Sequence, residues 1–307
     1  MTPTAALFPG QGAQTVGMGA DFASRPDSAV LFRRASDVLG FDLARLCAEG
    51  PAEELTRSDR AQPAIFVVSV VCETALLAAH PSLKWTAAAG LSSGEWAALH
   101  SAGVLSFEDA VRVLEARGRF MQEACERTPG GMVSVIGMEP AALAALAREA
   151  GVELANFNSP EQTVLSGPKE AVAAAARLAA ERGARRVIPL QVAGAFHSSL
   201  MAPAAARLEE FLGPVRFNPP SHPVISNVTG QPHDADPAAI RRRMVEQVTS
   251  PVRWVDCVTA LRDLGVRRHV ECGPGRVLAG LLRRIDKAAE VHTISDLPGL
   301  ESVAPAL

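Results

Sequence analysis

The sequence predicts an α/β fold in which a small unit interrupts a larger one. Two observations carry that reading. Short apolar runs of strand length alternate with long Ala/Leu/Arg-rich stretches of helical length. The element order of the middle of the chain also differs from that of the sequence on either side. At 307 residues the chain can hold one large domain or two smaller ones with a sizeable core.

The elements follow in order. Ala5 to Phe8 reads as a short buried strand running into the tight loop Pro9-Gly10-Gln11-Gly12. Ala61 to Ala79 is an apolar helix, with Pro63 expected in its first turn, where a missing N–H does no harm. Trp85 to Gly90 is a compact apolar segment, and Glu95 to Ala102 a helix. Phe107 to Cys125 is a longer amphipathic helix, with Glu108 and Asp109 near its positive end.

From Met132 the pattern changes. Met132 to Gly137 reads as a strand, and Pro140 to Ala150 as a helix closed by Gly151. Val152 to Asn156 and Thr163 to Ser166 are strands joined by an Asn/Ser/Pro-rich turn. Lys169 to Arg182 is a helix ended by Gly183, and Arg186 to Val192 a further strand. This β-α-β-β-α-β order is the ferredoxin-like split unit. It places a small subdomain at 123–191 inside a large domain made of 1–122 and 192–307. The large domain then resumes with a helix at Ser198 to Leu212 and a short strand at Val224 to Ser226. Helices follow at Ala238 to Val248 and Val252 to Leu264, a strand at His269 to Cys272 and a helix at Gly275 to Arg284. The tail from Pro298 is expected to fray.

Composition narrows the function. With 48% hydrophobic and 21% charged residues the chain is an ordinary globular protein, not a disordered or collagen-like one. A net charge of -3 gives no electrostatic basis for nucleic acid or an anionic membrane. No apolar run is expected to reach the ~20 residues of a membrane span, and the start of the chain lacks a signal-peptide pattern. Five scattered cysteines without CxxC spacing suit reduced thiols, so a cytoplasmic location is expected. The His, Cys and carboxylate residues show no metal-ligand spacing.

Gly90-Leu91-Ser92-Ser93-Gly94 fits the nucleophile elbow, lying between an expected strand and an expected helix. A serine on such a turn is strained, and side chains at the two glycine positions would collide with neighbouring backbone. The bland alternative is a Gly/Ser-rich connecting loop. The loop after the first strand, Phe8 to Gln14, can supply a second backbone donor beside the elbow. It lacks both the phosphate-loop lysine and GxGxxG spacing, so nucleotide binding is unsupported. A serine nucleophile needs a base, and the chain has seven histidines. His197 stands out by lying in a loop between an expected strand and helix.

The two loops, together with six further blocks in order, resemble the malonyl-CoA:acyl carrier protein transacylase family. The blocks are Arg117-Gly118-Arg119-Phe120-Met121-Gln122, Asn156-Phe157-Asn158-Ser159-Pro160, Gly194-Ala195-Phe196-His197-Ser198, Ser226-Asn227-Val228-Thr229-Gly230, Glu246-Gln247 with Pro251-Val252-Arg253-Trp254, and Glu271-Cys272-Gly273-Pro274-Gly275. The resemblance implies an α/β-hydrolase-like core with the ferredoxin-like insertion and an active site in the cleft between them. It implies malonyl transfer from malonyl-CoA to the phosphopantetheine thiol of an acyl carrier protein, in two half-reactions through a malonyl ester of Ser92.

Site roles follow from the same resemblance. His197 is the general base, and the main-chain carbonyl of Gln247 holds its imidazole. Arg117 binds the malonyl carboxylate, which a guanidinium can hold bidentately. The N–H groups of Gln11 and Ser93 form the oxyanion hole. Asn158 is a polar cleft contact, and Phe196 crowds out α-substituted malonyl units. Leu91 departs from the histidine usual in fatty-acid members, which blurs the pathway, since acyltransferases acting in trans on polyketide synthases also carry leucine there. No tightly held cofactor is implied, and a monomer is expected. Arg241-Arg242-Arg243, Arg283-Arg284 and Arg185-Arg186 are candidate contacts for an acidic carrier protein. The competing readings are a serine hydrolase or thioesterase acting on an acyl-CoA, a polyketide acyltransferase with another extender unit, and a non-catalytic carrier-protein-binding module.

Overall fold

A computed structural model of the chain describes residues 2–303 and contains two sheets. The strands are β1 (Thr4–Phe8), β2 (Ala87–Gly90), β3 (Gly130–Ile136), β4 (Glu153–Ser159), β5 (Gln162–Pro168), β6 (Arg186–Pro189), β7 (Val224–Ile225), β8 (Arg268–Cys272) and β9 (Glu290–Ile294). The first sheet has the order β7-β2-β1-β8-β9 and is parallel throughout. Its central strands are buried on both faces, as parallel sheets require. Alternate residues therefore serve opposite cores: Ala6, Phe8, Ala88 and Val270 point one way, Ala5, Leu7, Ala87 and Ala89 the other. The helix Ser58–Ala79 covers the first face, and the helices Trp254–Asp263 and Val277–Ile285 cover the second.

The second sheet has the order β4-β5-β3-β6 and is antiparallel. The helices Pro140–Ala150 and Lys169–Glu181 pack on one of its faces around Val133, Val135, Leu143, Leu146 and Leu165. Its other face gives Met132, Ala155 and Val164 to the main core. A main-chain bridge joins the units, with Val252 N–H donating to Ala155 C=O (2.8 Å) and Phe157 N–H to Val252 C=O (2.9 Å). The two units thus share one core across the cleft that forms between them.

Several expectations need correction. The apolar helix begins at Ser58, so Pro63 lies inside it, one turn later than expected. Its 22 residues are long and apolar enough to cross a bilayer by length and composition, contrary to the expectation that no stretch is. Most of it is nevertheless buried in the protein, which accounts for its apolar character without a membrane. Residues 297–303 form a helix that buries Leu300 and Val303 rather than a frayed tail, and 304–307 lie outside the described residues. The expected helix Ser198–Leu212 is a 3-10 turn (Ser199–Met201) followed by Ala202–Leu212, whose first turn holds Pro203.

Candidate active site

Register in the parallel sheet brings the Phe8–Gln14 and Gly90–Gly94 loops together. Phe8 pairs with Gly90, so the chains leaving β1 and β2 exit side by side at the carboxyl edge of the sheet. The approach is too close for side chains. A Cβ on Gly10 would lie 2.1 Å from Leu91 O, and one on Gly94 2.2 Å from Phe8 O. A Cβ on Gly90 would lie 2.0 Å from the Gly94 carbonyl. Between those glycines Ser92 adopts φ 54°, the left-handed region, which costs a non-glycine residue roughly 1–3 kcal/mol. Both sides of its peptide are held by side chains. Ser92 N–H donates to Asn227 Oδ1 (2.7 Å), and Gln247 Nε2 donates to Ser92 C=O (3.0 Å).

His197, also left-handed at φ 57°, places Nε2 2.8 Å from Ser92 Oγ. Its Nδ1 faces two carbonyls, Gln247 O at 3.0 Å and Ser250 O at 3.1 Å. Two acceptors there require a proton on Nδ1, which leaves the Nε2 lone pair free for the serine proton. Gln247 caps the helix Pro237–Glu246, so its carbonyl belongs to the negative end of that helix. Burial, and next the Arg117 charge, bring the imidazole down from 6.5 to about 4 against the pull of the two carbonyls. The base is therefore neutral at neutral pH. No Asp or Glu completes a triad here; the orienting role falls to two main-chain carbonyls, one of which, Ser250, the sequence did not reveal.

Arg117 projects from the helix Phe107–Arg127 and is 1% exposed. The adjacent Gly118 lets that helix approach Ser58, since a Cβ there would sit 2.2 Å from Ser58 O. Arg117 Nη1 donates to Gln62 Oε1 (2.7 Å), and Nη2 to Gln247 Oε1 (3.1 Å) and Ser92 Oγ (3.2 Å). Its Nε has no acceptor among the described residues. Burial lowers its pKa to about 10, with the Glu95 charge opposing, so it stays a cation at neutral pH. Every group it hydrogen-bonds is neutral, and the Glu95 charge acts on it without a direct ion pair, so the guanidinium at the cleft wall lacks a directly paired anion.

One cleft of about 220 Å³ is lined by Gln11, Leu91, Ser92, Arg117, Asn158, Phe196 and His197, with Met132 and Val164 from the second sheet, whereas Ser93 is buried behind its wall. Asn158 Oδ1 is shielded and has no hydrogen-bond partner among the described residues. Half-buried Leu91 packs on the second core. Gln11 departs from expectation: its N–H is not open to the cleft but donates to Ser93 Oγ at 3.1 Å. A serine at that position carries an acceptor within reach of the neighbouring loop. The Gln11 side chain joins Ser58 Oγ (3.1 Å) and Gln62 Nε2 (3.2 Å). Gln62 belongs to no sequence motif, although a glutamine inside an apolar helical run is the kind of polar residue that needs a buried partner. Of the basic clusters, Arg241 is tied to the Val215 carbonyl and Arg185 to Glu161, whereas Arg283 stays exposed beside Arg284.

The acyl transferase domain family matches residues 6–300. A malonyl CoA-acyl carrier protein transacylase of Haemophilus influenzae is 40% identical over 308 residues, covering 99% of this chain and 98% of that protein. The crystal structure of malonyl-CoA:acyl carrier protein transacylase from Xanthomonas oryzae pv. oryzae superposes with a TM-score of 0.95 at 40% identity, covering 100% of this chain and 99% of that one. A malonyl-transacylase solved in complex with a type II PKS acyl-carrier protein gives 0.95 at 38% identity, with full coverage of both chains.

Proposed function

Because the chain belongs to the acyl transferase family, alongside the malonyl CoA-acyl carrier protein transacylases, we propose that it transfers malonyl from malonyl-CoA to an acyl carrier protein through Ser92. The buried cation of Arg117, contacted only by neutral groups beside the Ser92–His197 pair, carries this reading. A malonyl unit differs from acetyl by a carboxylate, and that carboxylate gives Arg117 the direct, hydrogen-bonded anion that Glu95, on the far side of Gln247, does not supply.

The chemistry runs in two balanced halves. His197 Nε2 takes the Ser92 proton while Oγ attacks the thioester carbonyl, and Ser93 N–H and Gln11 N–H bear the developing negative oxygen. For this, Gln11 N–H exchanges the Ser93 hydroxyl for the substrate oxygen. The carbon–sulfur bond then breaks, and the coenzyme A thiolate takes the proton from His197. In the second half His197 removes the proton of the carrier's phosphopantetheine thiol, the sulfur attacks the malonyl ester, and Ser92 Oγ leaves with that proton. The carbonyls on Nδ1, at a helix's negative end, favour the transient imidazolium. Phe196 limits space beside the α-carbon, and Asn158 offers a polar contact. No tightly held cofactor enters the scheme.

The strand order β4-β5-β3-β6 with two helices on one face supports a ferredoxin-like insertion at 123–191 in a hydrolase-like domain of 1–122 and 192–307. We place the protein in the cytoplasm as a monomer, with Arg283 and Arg284 on the face offered to an acidic carrier. Incubation with labelled malonyl-CoA and a phosphopantetheinylated carrier tests the reading: label reaches the carrier faster than free malonate appears. Release of malonate ahead of transfer would instead identify a hydrolase.

A further inference from the structure

The geometry points to Glu95, held by His233, as the residue that positions the nucleophile, base and carboxylate anchor together, without touching any reacting atom. The inference rests on the reading of Ser92 and His197 given above.

Glu95 follows the elbow in the first turn of the helix Gly94–Ser101 and is fully buried. A carboxylate so placed is costly unless its lone pairs are used. They are: Oε1 lies 2.6 Å from His233 Nε2, and Oε2 accepts from Asn227 N–H (3.1 Å) and from Gln247 Nε2. Those last two partners are the residues that hold the Ser92 peptide. Asn227 Oδ1 takes Ser92 N–H, Asn227 Nδ2 donates to Gly90 C=O (2.8 Å), and Gln247 Nε2 donates to Ser92 C=O.

Gln247 shows why the carboxylate matters. Its amide could sit either way round by shape alone. With Nε2 toward Glu95, its Oε1 faces the Arg117 guanidinium and accepts from Nη2. The reversed amide would set oxygen against carboxylate and N–H against guanidinium, two repulsive contacts. Glu95 thus fixes the amide that anchors Arg117, in the residue whose carbonyl orients His197. His233 completes the arrangement from the segment after β7, the same segment that carries Asn227.

Variants separate geometry from mere packing. In Glu95→Gln the new amide oxygen can accept from Asn227 and Gln247, and its NH2 can face His233 in the other imidazole tautomer. The rate of Ser92 modification by a fluorophosphonate, which has no carboxylate for Arg117, should stay within about threefold of wild type. In Glu95→Ala it should fall about 100-fold, the scale of an ångström-size misplacement of reacting groups. Wild-type labelling in Glu95→Ala would overturn the proposal, as would equal losses in Glu95→Ala and Glu95→Gln. Should Glu95→Ala fail to fold, His233→Ala should label about 10-fold slower, with His233→Gln restoring a donor and most of the rate. No change in His233→Ala would likewise overturn it. Labelling that survives Ser92→Ala would remove the underlying reading instead, and so is told apart.

Discussion

The main-chain amide of Gln11 donates to the hydroxyl of Ser93 at 3.1 Å, so the two loops expected to hold the oxyanion are tied to each other in the resting site. Ser93 is 3% exposed, and its hydroxyl is held between the loops rather than in solvent. A substrate oxygen must displace it. Replacing Ser93 with Ala frees the amide in advance, at the cost of one neutral hydrogen bond worth about 1 kcal/mol, roughly fivefold in rate. Ser93→Ala should therefore form the malonyl-enzyme up to about fivefold faster in a rapid-quench assay. A slower burst would show that the hydroxyl braces the loop instead of occupying the donor.

Arg117 sets a selectivity. Its guanidinium is buried among Gln62, Gln247 and Ser92, none of them charged, so a malonyl carboxylate gains a charge-assisted pairing that acetyl cannot make. Arg117→Ala should lower kcat/KM for malonyl-CoA by about 100-fold or more, while the value for acetyl-CoA stays level or rises. Equal losses on both substrates would remove Arg117 from the carboxylate role.

Much of this was legible in the chain itself, for identifiable reasons. The elbow was readable because Gly90 and Gly94 are forced by backbone contact at 2.0 and 2.2 Å, which leaves a local pattern in sequence. The βαββαβ order was readable because glycines and prolines mark its turns. β9 was not, since Glu290 to Thr293 is an edge strand with mixed exposure and no clean alternation. The helices Pro26–Leu39 and Leu43–Glu49 are likewise not evident from pattern alone, although Asp42 caps the second through its side chain. Glu95 and Asn227 lie in segments that carry the family resemblance, but their joint role, with His233, is not legible there because they meet only in space: 132 residues separate Glu95 from Asn227.

The pH profile follows from His197. Its imidazole titrates at about 4 in the folded protein against 6.5 for an ordinary histidine, by burial first and the Arg117 charge second. The acid limb of kcat/KM for malonyl-CoA should therefore lie near 4, and activity should be flat through pH 6.5. Arg117→Ala removes the second cause and should move the limb upward, read from acetyl-CoA turnover. The sign for stability agrees. Between 6.5 and 4 the unfolded chain binds the proton and the folded one does not, so this group's contribution is lost as pH falls through that window. An acid limb at 6.5 in the wild type would exclude a buried neutral base.

Gln62 links the anchor to the oxyanion loop, accepting from Arg117 Nη1 at 2.7 Å and donating to Gln11 Oε1 at 3.2 Å. Leucine nearly matches its volume but offers no acceptor, so Gln62→Leu leaves part of a buried guanidinium unpaired. Losing such a charge-assisted bond costs about 1.5–3 kcal/mol, or roughly 10- to 150-fold. That loss should appear in kcat/KM for malonyl-CoA, because the mispositioned guanidinium is what meets the carboxylate. Fluorophosphonate labelling of Ser92, which needs no carboxylate anchor, should change only a few-fold. Gln62→Glu makes the contrasting case: an anion beside Arg117 would pair with the guanidinium and compete with malonyl for it, raising KM for malonyl-CoA more than it lowers kcat. A Gln62→Glu variant with unchanged KM would mean that Arg117 meets its substrate elsewhere on the guanidinium than the geometry indicates.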